Sequence, residues 1–184
     1  MTTVFKDVLV SGCLVVLATS ALSGCGSGQM KSSSDTTSVA AGISRPSSAV
    51  LAVIAHAEGT GDRYDYIFSY KTFSSFHDHP RRVVCSGGYC SDAAGRYQFL
   101  STSWDETRRG AGVSNFEPAS QDLGALYRME SFRGAREHKQ QLSRAEFERL
   151  MYKISREWAS LPGSPYGQPT KSMGSLWAVY EKSL

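Results

Sequence analysis

The sequence predicts an α+β fold, mostly helical with a small antiparallel sheet, and three observations carry that expectation. An apolar stretch of helical period occupies residues 50 to 60. A run rich in aromatic residues and short alternations, with a Gly-Gly pair inside it, fills residues 63 to 91. Helical periods then recur from residue 101 to the end. Strand-like pieces are thus segregated from the helices, with no internal repeat, which is the α+β pattern. The 184 residues suffice for one domain with a proper core plus accessory segments. Hydrophobic residues make up 41% and charged residues 20%, so most of the chain is expected to be globular. The formal net charge of +3 favours an anionic polymer without choosing one. No Arg/Lys-rich helix or aromatic nucleic-acid signature accompanies it, which argues against nucleic acid as partner.

Residues 1 to 24 are expected to be a targeting segment. Residues 8 to 22 are apolar, short for a membrane span, and preceded by Lys6. Leu22-Ser23-Gly24-Cys25 follows at once and resembles a bacterial lipoprotein signal, in which Cys25 would be acylated. Asp7 departs from the usual positive start, and an ordinary cleaved signal peptide or an uncleaved signal anchor are the alternatives. Residues 25 to 45, dominated by Gly, Ser and Thr, read as a flexible tether, because they carry too little apolar surface to offset ordering entropy. The folded domain is then expected over residues 46 to 184, exported and held by an N-terminal lipid to a membrane facing the periplasm or cell wall.

The first helix is expected to begin near Pro46 or Ser47. Val50, Ile54 and Glu58 fall four apart, with Val53 and Ala57 in the same stripe, so a carboxylic acid ends the face assigned to the core. Gly59 suits the left-handed position that closes a helix, which places Glu58 beside unpaired carbonyls at the negative end of the dipole. Desolvation and the dipole both disfavour the ionised form and push the pKa upward. An acid protonated near neutral pH is what a glycosidic leaving oxygen requires. The ordinary alternative is a helix-terminal Glu paired with Arg63.

Residues 63 to 76 read as irregular strand, His77 to Pro80 as a turn, and Arg81 to Val84 as a short strand. Cys85-Ser-Gly-Gly-Tyr-Cys90 has a hairpin loop's glycines. With Cys13 and Cys25 in the signal region, Cys85 and Cys90 are the thiols left to the domain, and export makes a disulfide the simpler reading. A zinc site from His77, His79, Cys85 and Cys90 is the rival, disfavoured by the long gap between the cysteines, so no metal is expected.

AGRYQFL, residues 94 to 100, reads as a strand carrying Tyr97 and Gln98. A helix is expected from Ser101 or Thr102, with Asp105 completing a capping box and Gly110 stopping it. Phe116 and Pro118 introduce a second helical run with Leu123, Leu126 and Met129. Ser143 and Glu146 open a third, whose stripe is Phe147, Leu150, Met151, Ile154 and Trp158. A loop containing Tyr166-Gly167-Gln168 precedes a last amphipathic helix with Met173, Leu176, Trp177 and Tyr180.

Six stretches, taken together, resemble one family: AHAEGT (55 to 60) followed by YD (64 to 65), DHPRRVV (78 to 84), AGRYQFL (94 to 100), FEPASQD (116 to 122) and WASLPGSPYGQ (158 to 168). They are similar, in order, to the phage lambda endolysin family of peptidoglycan lytic transglycosylases, within the lysozyme-like superfamily, and they cover nearly everything after the tether. The resemblance implies a lysozyme-like fold, a small hairpin beside a catalytic groove, no cofactor, and peptidoglycan glycan strands as partner of a monomeric enzyme. It implies Glu58 as catalytic acid and Tyr97, Gln98, Tyr166 and Gln168 as groove residues, aromatic rings meeting sugar faces and amides fixing hydroxyl and N-acetyl groups. Tyr97 or Tyr166 packing in the core, and Gln98 satisfying backbone, are the ordinary readings. His79 matches the DHP stretch and is read as capping its turn. The CSGGYC loop and the lipoprotein-type signal depart from the lambda pattern.

Hydrolysis needs a second carboxylate about 5–9 Å from the first. Asp62, Asp65, Asp78 and Asp92 are candidates by position, none in a stretch the family uses that way. A lytic transglycosylase needs none, because the sugar's own C6 hydroxyl attacks. The expected activity is cleavage between N-acetylmuramic acid and N-acetylglucosamine to a 1,6-anhydro end; a hydrolytic muramidase and an inactive, lipid-anchored wall-binding module are the alternatives.

Overall fold

The computed structural model describes residues 42–184; the signal segment and nearly all of the tether, with Cys13 and Cys25, lie outside them. Helix α1 (Arg45–Glu58) is the buried axis, with Val50, Leu51, Val53, Ile54 and Ala55 closed to solvent. Ser44 caps it, its hydroxyl accepting the Ser47 N–H at 3.3 Å, and Gly59 ends it at φ 75°. The helix therefore starts just ahead of Pro46 and stops on the acid, as its periodicity predicts.

The sheet portion is two separate antiparallel pairs. Strands β1 (Tyr66–Ile67) and β2 (Lys71–Thr72) pair in the register Tyr66↔Thr72 around the single turn Phe68–Tyr70. Strands β3 (Val84–Ser86) and β4 (Tyr89–Ser91) form the expected hairpin, with Gly87 and Gly88 at φ 58° and 83°, values that suit glycine at a two-residue turn. Cys85 faces Cys90 across it and the two form a disulfide with Cα atoms 4.0 Å apart. The zinc rival loses both thiols to that bond. Arg81 to Val83 are not strand: Arg81 sits at φ 48° and its guanidinium reaches Asp105 and Asp78.

Helix α2 (Ser101–Ala111) starts without the capping box. Asp105 is drawn to Arg81, while Asp92 accepts the Ser101 N–H at 3.3 Å. Gly110 lies inside the helix and Gly112, at φ 68°, ends it. Gly110 is needed for packing instead, since a Cβ there would fall 2.0 Å from the Tyr127 ring. Helix α3 (Pro118–Tyr127) continues into a wide turn, Arg128–Phe132. Its inward residues are Gln121, Gly124 and Ala125, whereas the predicted Leu126 is only half-buried. Gly124 lets the helices touch, because a Cβ there would lie 2.9 Å from both Trp104 and Thr107.

Helix α4 (Arg144–Ile154) has the predicted capping box and buries Phe147, Leu150, Met151 and Ile154 of the predicted stripe, but it stops short of Trp158, which is buried from the loop beyond. Helix α5 (Met173–Ser183) lies along α1, with Leu176 and Tyr180 buried. The Phe147 ring packs 5.1 Å from Tyr180 and 5.2 Å from Trp177, which joins α4 to α5. No helix among the described residues is long and apolar enough to cross a membrane.

Candidate active site

Glu58 is the last residue of α1, and the turn after it is held by hydrogen bonds to its own helix and to the 95–98 turn. The N–H groups of Gly59, Thr60 and Gly61 all return to the end of the helix, two of them to the Ala55 carbonyl. The buried Thr60 hydroxyl donates to Arg96 O at 2.6 Å, which fixes the residues after the acid to the 95–98 turn. Arg96 closes the loop from the other side, its Nε donating to Gly61 O at 3.0 Å and its Nη1 to Tyr64 Oη at 2.9 Å. Tyr64 and Tyr97 in turn donate to Asp122, at 3.0 and 2.6 Å. Burial raises the Asp122 pKa while both tyrosine hydroxyls and Arg96 oppose it.

Glu58 is half-buried, and Ser160 Oγ donates to its Oε1 at 2.5 Å. Burial pushes its pKa up to about 7, against the opposing hydrogen bond from Ser160. Arg63 does not pair with it. That guanidinium forms a two-pronged contact with Asp65 at 2.6 and 2.7 Å, and among the described residues Glu58 has no ion pair. The site therefore offers a proton donor that is half protonated near neutral pH, at the mouth of a helix end pinned by hydrogen bonds.

The proposed groove residues divide. Tyr97 is 1% exposed and its ring lies 6.1 Å from Phe99 in the core, so it cannot face a sugar; its packing reading replaces the groove reading. AGRYQFL is a tight turn rather than a strand: Ala94 and Phe99 bridge, Gly95 has φ 79° and Gln98 φ 48°. The turn is stabilised from far away. Gln121, fully buried, accepts the Arg96 N–H at 2.8 Å and donates to Tyr64 O and Phe116 O. Gln98 is half-buried, and its amide donates to Gly95 O at 2.9 Å, so at least one of its amide hydrogens serves the turn. Tyr166 is half-buried and donates to Arg156 O at 3.0 Å, and Gln168 is half-buried two residues on. Both lie on the loop that also carries Ser160.

His79 is buried, its Nε2 donating to Phe99 O at 2.8 Å and its Nδ1 accepting the Arg81 N–H at 3.1 Å, the tautomer these partners require. Burial lowers its pKa, so it is a neutral brace of the turn. The four aspartates are occupied as well: Asp62 meets Arg96, Asp65 meets Arg63, Asp78 meets Arg81 and Arg108, and Asp92 takes the first N–H of α2. Sequence reasoning missed Ser160, Arg96, Gln121 and Asp122 as supports of the acid. The stretches WASLPG, AGRYQFL and FEPASQD contain them, but only the fold shows that they converge.

Residues 48–184 match a family model described as Endolysin. The chain is 35% identical over 150 residues to an endolysin of Escherichia phage lambda, covering 77% of this chain and 92% of the relative. It is 31% identical over 150 residues to an endolysin of Escherichia phage P2, covering 72% and 88%. Among solved structures, bacteriophage lambda lysozyme complexed with a chitohexasaccharide superposes with a TM-score of 0.70 at 35% identity, over 77% of this chain and 95% of that one. A second structure of lysozyme from bacteriophage lambda gives a TM-score of 0.65 at 34% identity.

Proposed function

Because the chain belongs to the endolysin family, whose relatives make it a peptidoglycan-degrading glycosidase, we propose that it is a lytic transglycosylase with Glu58 as both acid and base. In the first half of the reaction, the Glu58 carboxyl gives its proton to the oxygen leaving C1 of N-acetylmuramic acid, and the C1–O bond breaks. In the second half, the carboxylate takes the proton of that sugar's own C6 hydroxyl as its oxygen bonds to C1. The product carries a 1,6-anhydro bridge, the proton returns to Glu58, and no water is consumed. An intramolecular nucleophile has a high effective concentration, so no enzyme nucleophile is needed.

The observation that carries the proposal is that Glu58, among the described residues, has no ion pair to hold it ionised. Its pKa of about 7 lets one group serve as donor and acceptor at the same pH. The aspartates nearest in sequence already hold arginines or a helix end, which argues against one of them activating water. Gln98, Tyr166 and Gln168 remain the proposed glycan contacts, and the chitohexasaccharide held by the lambda enzyme is the precedent for a glycan in such a groove. Mass spectrometry of purified murein after digestion tests the reaction: anhydro ends are expected, and reducing ends alone would make the enzyme a hydrolytic muramidase. Acylation of Cys25 belongs to the same proposal, because a lipid and a tether would hold the enzyme near the wall. Fatty-acid labelling that persists in a Cys25→Ala variant would remove it.

A further inference from the structure

The turn joining β1 to β2 is built in a way its sequence does not favour. Ser69 and Tyr70 are consecutive non-glycine residues in the left-handed region, at φ 66° and 58°. Such conformations persist where surrounding structure imposes them, and they cluster at functional sites. Here the surroundings are visible. Phe68 is buried and its N–H donates to Ala93 O at 2.9 Å, which fixes the start of the turn. Strands β1 and β2 clamp its two ends, and the disulfide-closed hairpin packs against it through β3. The result is that a large aromatic ring, 55% exposed, is held at one place with its hydroxyl over Gly59. A Cβ on Gly59 would lie 2.8 Å from Tyr70 Oη, so Tyr70 reaches the residue directly after the acid. The Tyr66 ring stands edge-on to it at 5.7 Å and is itself covered by the Arg63 guanidinium at 4.7 Å. Tyr70 is therefore the exposed end of a rigid stack.

We infer that Tyr70 is a glycan-contacting residue whose ring stacks on the sugar beside the bond that Glu58 protonates. An exposed aromatic face next to a desolvated acid offers a pyranose the apolar surface its axial C–H face requires, at low entropic cost because the turn is already fixed. The inference rests on the glycosidase reading of the groove and adds to it a residue that determines affinity.

The test is binding of a chitohexasaccharide to the full chain in a Glu58→Gln background, where no turnover intervenes. Adding Tyr70→Ala is expected to raise Kd about tenfold, the size of a lost aromatic contact, while Tyr70→Phe and Tyr70→Trp restore most of the affinity. Equal affinity with and without the ring overturns the assignment of Tyr70 alone. A loss as large for Tyr70→Phe as for Tyr70→Ala overturns it too, by moving the contact to the hydroxyl. A Glu58→Gln parent that binds no hexasaccharide overturns both the groove reading and Tyr70. Nitration of the wild-type chain by tetranitromethane, followed by peptide mass spectrometry, gives an answer that does not depend on a variant folding. Tyr152 is 56% exposed and serves as a matched control. The hexasaccharide should protect Tyr70 and leave Tyr152 reactive, and equal nitration of Tyr70 with and without sugar overturns the inference.

Discussion

Glu58, half-buried at the end of one helix, and Glu157, its side chain buried just past the end of another, are treated by the protein in opposite ways. The Glu157 side chain, 3% exposed, lies between two guanidinium groups, Arg128 at 2.5 Å and Arg133, with Arg128 tied further to Ser103 O and Thr107. Glu58 receives one hydroxyl, from Ser160, and no cation among the described residues. Asp122 stands between them, with two tyrosine hydroxyls and Arg96 at 3.9 Å. A fold that can neutralise a buried carboxylate with two arginines withholds them at Glu58. Desolvation without compensation is what makes a carboxyl an acid near neutral pH, and the same desolvation costs stability when the group ionises. The three sites therefore separate the carboxyl proposed for chemistry from two that are neutralised within the fold.

The largest effect that could break this contrast is at Glu58 itself. Glu58→Gln should lower murein lysis about 10³-fold, the typical worth of a positioned acid and base. Stability should move the other way. The folded pKa of about 7 lies above the ordinary 4.5, so the folded state holds its proton more tightly than the unfolded one. The Glu58 contribution to stability must then fall as pH rises from about 4.5 through 7, by about 3 kcal/mol in all, so the wild type should lose that much relative to Glu58→Gln across the interval, whatever slope the other titrating groups add to both. Denaturant titrations of the two proteins at pH 4 and pH 8 check it. Parallel curves would mean that Glu58 is solvated and is no special acid.

Removing a partner from Glu157 should hurt the fold rather than the chemistry. Arg128→Met leaves a buried carboxylate with Arg133 only, and the expected loss is about 3 kcal/mol, read as a lower urea midpoint, since stranded buried charges cost that much. At Asp122 the expected loss is smaller. Asp122→Asn keeps the volume and one acceptor for Tyr97, but it turns the second acceptor into a donor facing the Tyr64 hydroxyl and removes the charge beside Arg96, at about 2 kcal/mol. If Asp122→Asn abolished lysis while leaving the urea midpoint unchanged, Asp122 would belong with Glu58 and the division would fail.

The contrast was legible in the sequence on one side. A helical stripe that ends in a carboxylic acid and a glycine names Glu58 from local pattern alone, and the Ser143–Glu146 box and the Gly-Gly hairpin are local in the same sense. The partners are not local. Ser160 lies 102 residues from Glu58, and Gln121 supports a turn 25 residues behind it. That distance explains the misreading of AGRYQFL, whose alternation suits a strand until a buried amide from α3 takes up its N–H. It also explains Gly110 and Gly124, which look like helix breakers in one dimension and are contact points between helices in three. Tyr70 could not be found by pattern, because its position depends on a turn that runs against residue preference.

The subtlest probe is the Ser160 hydroxyl that donates to Glu58. The Ser160 hydrogen bond favours the ionised form and opposes the rise caused by burial. Without it the carboxyl should hold its proton to higher pH. A hydrogen bond to a charged group is worth about 1.5 kcal/mol, or about one pH unit, so Ser160→Ala should move the alkaline limb of kcat/KM up by roughly that amount. The limb belongs to the free enzyme and reports the acid before substrate arrives. Linkage fixes a second consequence: a folded pKa raised further deepens the stability lost above pH 7 by about 1.4 kcal/mol and adds nothing through this group below pH 4. The two measurements must agree if one carboxyl governs both. A limb that moves down or stays in place would assign it to another group, and Glu58 would then resemble Asp122 more than the acid its isolation describes.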